Sequence, residues 1–87
     1  MNPMSPAADA AFAAELAQLR LQAGLSRREL AEQVGIETAD VDLTEAGLRH
    51  VDVVELFRWC QVCGSSLEGF AERMDRRLAG DTGSAPH

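Results

Sequence analysis

At 87 residues the chain is long enough for one domain, whose core can be only modestly stable. An apolar fraction of 46% excludes disorder throughout, and no apolar run approaches the ~20 residues needed to span a bilayer. Eight arginines and no lysine face fourteen aspartates and glutamates, so the net charge is −6 and the pI near 4.7. A chain this acidic does not gather polyanions by bulk charge; only clustered arginines would do so.

The first twelve residues carry no basic start followed by an apolar run, so a soluble, cytoplasmic chain is expected. Residues 1–5 read as a flexible leader. Ser5 is a candidate helix cap, with Pro6 at the first helical position, where a missing N–H costs nothing. The first helix runs to about Ala23, with Phe12, Leu16, Leu19 and Ala23 on one face. Its many alanines suit a helix and allow close packing.

The stretch from Gly24 to Ile36 is the most informative. Ser26 and Glu29 form a capping box, in which each side chain accepts from the other's backbone N–H. Leu30, Ala31 and Val34 recur at helical spacing, placing a second helix over Arg27 to Val34. Gly35 supplies the left-handed residue that ends it, and Ile36 plugs the angle to a third helix, about Thr38 to Glu45 or Ala46. Gly47 stops that helix. This is a helix-turn-helix written in sequence.

Asp52 and Glu55 make a second cap-and-reach pair that starts a fourth helix near Val53. Its inner side reads as Val53, Leu56, Phe57, Cys60 and Cys63, and Gly64 ends it. Val54, Trp59 and Val62 then need cover from the first and fifth helices or from a second molecule. Ser66 opens a fifth helix, with Leu67, Phe70, Met74 and Leu78 every three or four residues. Past Ala79 the chain has too little apolar surface to order itself, so 80–87 is expected to be a disordered tail. No strand or repeat signal appears. The expected fold is all-α, five helices over 6–79.

Leu16, Leu19, Arg20, Gly24-Leu25-Ser26, Glu29-Leu30-Ala31, Val34-Gly35-Ile36, Val41, Glu45, Gly47, Arg49, Leu56 and Gly64 fall in one ungapped register. In that register the chain resembles the Cro and lambda-repressor-like, or XRE-type, helix-turn-helix domain over roughly residues 12 to 70. The resemblance implies a transcriptional regulator that binds double-stranded DNA, with the third helix in the major groove. It would place Glu37, Thr38, Ala39, Asp42 and Leu43 outward toward base edges, and Val41 and Thr44 inward. Arg20, Arg27, Arg28, Arg49 and His50 match positions that contact phosphate. The family usually has Gln where Arg27 stands, so charge has been gained there.

The third helix departs from what a groove wants. Arg, Lys, Asn and Gln make the strongest base contacts, and none occurs between Glu37 and Leu48. Glu45 is part of the family pattern, but Asp40 and Asp42 are not. A carboxylate in the groove has one good base partner, the cytosine amino group, while an exposed Leu43 suits a thymine methyl or another protein. Arg28 can equally pair with Glu32 at i,i+4, and Arg49 with Glu45 or Asp52. A second reading therefore stands beside the first: a protein-interaction module, antitoxin-like or a co-regulator, whose acidic third helix docks on a basic partner.

Cys60-Gln61-Val62-Cys63 has the spacing of a redox or zinc motif, but it sits in the last turn of a helix, where no dipole lowers a thiol pKa. With only His50 and His87 as further soft donors, no metal site is expected, and buried structural thiols are the simpler reading. Asp40 and Asp42 diverge at i,i+2, so they make no acid/base pair. Neither a catalytic constellation nor a cofactor is expected. A homodimer is, through the fifth helix (where Arg73, Arg76 and Arg77 flank Met74 and Leu78) or the outer side of the fourth.

Overall fold

The computed structural model describes residues 6–82. Its helices are α1 Pro6–Gln22, α2 Arg27–Val34, α3 Thr38–Glu45, α4 Val53–Val62 and α5 Leu67–Thr82. No strand occurs among the described residues, so the all-α expectation holds. The leader with its Ser5 cap, and the tail from 83 on, lie outside them. At its far end α5 runs to Thr82 rather than stopping at Ala79, because a helix already nucleated adds residues at little cost.

Both bonds of the capping box form. Ser26 Oγ accepts from the Glu29 N–H at 3.0 Å, and Glu29 Oε1 accepts from the Ser26 N–H at 2.8 Å. The backbone bond first, then the Ser26 side chain, holds the Glu29 carboxyl below its ordinary range. A carboxyl depressed in this way supports the fold above that range, and the support is lost as pH falls through the folded value. Gly35 has φ +94°, and its N–H returns to the Ala31 carbonyl at 2.8 Å. The Ile36 N–H reaches the same carbonyl at 3.0 Å, fixing the angle at which α3 leaves.

Nine buried side chains drawn from all five helices form the core: Leu16 and Leu19, then Leu30, Ala31 and Val34, then Val41, then Trp59 and Cys60, then Phe70. Phe12 meets Phe70 edge to face, with ring centroids 5.1 Å apart. Trp59 is completely enclosed, and its indole N–H donates to the Leu16 carbonyl at 3.2 Å. That indole sets the rotation of α4, and it corrects the expected inner side. Leu56, Trp59, Cys60 and Cys63 face the core, whereas Val53 and Phe57 are exposed together with Val54. This rotation gives the indole both full burial and its hydrogen bond to α1, and it leaves a valine and a phenylalanine outside.

Ala23 also departs from expectation. It lies beyond α1 and is exposed, because Gly24 at φ +73° turns the chain and sends Leu25 inward instead. Burial pushes the Cys63 thiol up to about 11 and shifts Cys60 in the same direction. Both are free and protonated at neutral pH, as suits packing groups rather than nucleophiles.

A buried acid unites α1 with α5. Glu15 is 2% exposed and accepts from Arg73 Nε and from Arg77 Nε, the latter at 2.8 Å. Sequence periodicity assigns those arginines to an outer surface. Two of the three instead neutralise a carboxylate that would be intolerable alone in the interior.

Candidate nucleic-acid interface

The start of α2 and the outer side of α3 converge on one face. Thr38, Ala39, Asp42 and Leu43 are exposed there, as is Glu37 just before α3, while Val41 and Thr44 turn inward as the register implies. Arg27 leans from α2 across to α3. Its Nε lies 3.1 Å from Glu45 Oε1 and 3.5 Å from Asp42 Oδ1. Arg28 points to solvent beside Glu32 at 3.6 Å, the i,i+4 alternative foreseen for it.

Arg20 does not belong to this surface. It is 8% exposed and engaged on three sides: Nε and Nη2 donate to the two oxygens of Glu45 at 2.7 and 3.0 Å, and Nη1 donates to the Leu25 carbonyl at 2.9 Å. The hydrogen bonds it donates to Glu45, partly offset by burial, raise its pKa above an already high value. A guanidinium held so has nothing to offer a phosphate. The register placed Arg20 correctly along the chain, but only the distant Glu45 reveals its direction.

Arg49 lies at the far end of α3, half-buried. It donates to Thr44 Oγ1 at 3.0 Å and faces Glu55 at 2.9 Å and Asp40 at 3.6 Å, rather than Glu45 or Asp52. His50 is exposed, with Nε2 3.5 Å from Asp9 of α1. Glu55 is therefore taken up by Arg49; Asp52 still caps α4 by accepting from the Glu55 N–H at 2.7 Å.

Asp40 now has a structural task. Its carboxylate accepts from the Glu37 N–H at 3.1 Å, where the α3 dipole favours negative charge, and its other neighbour is Arg49. The pattern Glu37-x-x-Asp40 ahead of Val41 carried that signal, since an acid three residues after a helix start is a capping position. Of the four acids from Glu37 to Glu45, Asp42 is the one without a capping or core role.

Among the described residues no group of three or more His, Cys, Asp or Glu could hold a metal ion, and no helix is long and apolar enough to cross a membrane.

A capped helix, a left-handed glycine and a second short helix packed over a shared core define the class of this module. Residues 11–78 match the helix-turn-helix domain family, and the chain belongs to it. A crystal structure of the clp gene regulator ClgR from Corynebacterium glutamicum has a TM-score of 0.82 at 23% identity, covering 93% of this chain and 86% of that one. A single-residue mutant of the restriction-modification controller protein C.Esp1396I reaches 0.76 at 17% identity, covering 82% of this chain and 95% of that one. At such identities the likeness is one of fold. No curated protein matches the chain.

Proposed function

We propose that the chain is a DNA-binding transcriptional regulator of the cytoplasm, a binding protein rather than an enzyme, with α2 and α3 as its reading unit. One observation carries this: Arg27, at the positive end of α2 and next to the solvent-facing Arg28, reaches across to Asp42 on the α3 face that exposes Thr38, Ala39 and Leu43. Arg27, Arg28, Arg49 and His50 grip phosphates, and the α3 residues with Glu37 meet the groove. Arg20 serves as a strut behind them. Family membership and the likeness to two regulators support this reading.

The contacts of Arg27 with Asp42 and Glu45 both run through Nε, so its outer N–H groups can meet a phosphate without releasing either acid. Arg27→Ala should therefore weaken binding to all sequences alike and reduce the slope of log affinity against log salt by about one. Mobility shifts on random genomic duplex over a salt series measure both. Binding indifferent to salt overturns the proposal.

The second reading, a module whose α3 docks on a basic protein, is favoured by one fact: Arg27, Arg28 and Arg49 each already face a carboxylate. Asp42→Asn separates the two readings. Its affinity for random DNA rises if DNA is the ligand, and affinity for a basic partner falls if protein is.

A homodimer completes the proposal. Val53, Val54 and Phe57 expose apolar surface side by side on α4, whereas Arg73 and Arg77 of α5 are committed to Glu15. The outer side of α4 is thus the better face for a second copy. Sedimentation at high micromolar concentration should give a dimer of the 9.4 kDa chain, and Phe57→Asp should return it to monomer. A monomeric parent chain removes the idea.

A further inference from the structure

The exposed side chains of α3 are nearly all acceptors or apolar. Asp42 accepts, Ala39 and Leu43 are hydrocarbon, and only the Thr38 hydroxyl can donate. A groove face with a single hydroxyl donor cannot satisfy both N7 and O6 of guanine, which accept. It can satisfy cytosine, which offers the N4 amino group alone, and it can pack against the C5-methyl that thymine carries beside its O4 acceptor. Adenine is a half match, because its N6 amino group lies beside the N7 acceptor.

Two features of the structure make Asp42 usable in a polyanionic groove. Arg27 stands 3.5 Å from its Oδ1 and offsets its charge, so the carboxylate does not meet the phosphates bare. The pair is also loose and more than half exposed, with side-chain exposures of 51% for Arg27 and 57% for Asp42. Carboxylate lone pairs therefore remain for another donor. Leu43, the next residue along α3, is 43% exposed and has no polar group to compete with water for the base.

Resting on the DNA-binding reading above, the geometry points to Asp42 and Leu43 as the residues that set base preference. Asp42 selects cytosine through its N4 amino group, and Leu43 selects thymine through its methyl. Arg27 acts as the positioning residue that keeps Asp42 tolerable beside the backbone. The chain reads donor-bearing and methyl-bearing edges and rejects guanine at the Asp42 position.

The test is selection of bound sequences from a random duplex library at low salt, with the full chain and with Asp42→Asn and Leu43→Ala in parallel. Both substitutions fall on exposed side chains and leave the core intact. The parent chain should enrich cytosine over guanine about tenfold at one position, with thymine favoured close by. Asp42→Asn should replace that cytosine by adenine, the base whose N6 and N7 an amide matches, and Leu43→Ala should lose the thymine while keeping the cytosine. Guanine at that position, or an Asp42→Asn pool identical to the parent's, overturns the assignment. DNA retained without any base preference defeats this inference and leaves the binding proposal standing. A parent chain that retains no DNA defeats both.

Discussion

Glu45→Ala should cost the domain about 3–5 kcal/mol, the usual penalty for stranding one charge of a buried pair. The side chains of Arg20 and Glu45 are 9% and 5% exposed, so the guanidinium left behind would find neither a counter-charge nor much water. Its remaining bond, to the Leu25 carbonyl at 2.9 Å, cannot compensate. In a domain this small, where total stability lies near the low end of 5–15 kcal/mol, most of the fold's margin would go. Urea unfolding followed by far-UV circular dichroism reads the change. The double variant Arg20→Met, Glu45→Leu should recover most of the loss, since it leaves no charge behind. A single Glu45→Ala costing under about 1 kcal/mol would show that the pair is solvated and is no strut.

Trp59→Ala should be comparably severe, about 3–5 kcal/mol, because the indole is wholly enclosed in the shared core and its loss leaves a cavity. For a domain of this length that lowers Tm by roughly 12 °C or more. Trp59→Phe should be much milder. It keeps most of the apolar volume and gives up one hydrogen bond to the Leu16 carbonyl, of the order of 1 kcal/mol. Thermal melts of the three chains rank them. A Trp59→Ala melting point close to the parent's would mean that α4 has re-rotated to bring Val53 and Phe57 inward.

The contrast between α2 and α4 explains which parts of the fold are legible in the sequence. The bounds of α2 follow from local rules, since Ser26, Glu29 and Gly35 act on backbone groups within four residues of themselves. The rotation of α4 does not. Its apolar residues ring most of the helix, and the choice among faces depends on a carbonyl 43 positions away. The candidate interface divides in the same way. The outward set on α3 follows from register, and Val41 and Thr44 turn inward as expected. The destinations of Arg20, Arg49, Arg73 and Arg77 depend on partners in other helices or loops, which no periodicity reveals. Asp40 lies between the two cases: its capping role is written locally but is masked by the more conspicuous acidity of the segment.

Glu45 touches Arg20 of α1 and Arg27 of α2 while itself belonging to α3. One carboxylate thus fastens three helices at a single point, so the crossing angle of any one of them is shared by the others. That contact braces the turn at Gly35 from behind. Mechanically the three helices form one wedge, whose outer side at α3 is held in place by a carboxylate it never shows to solvent.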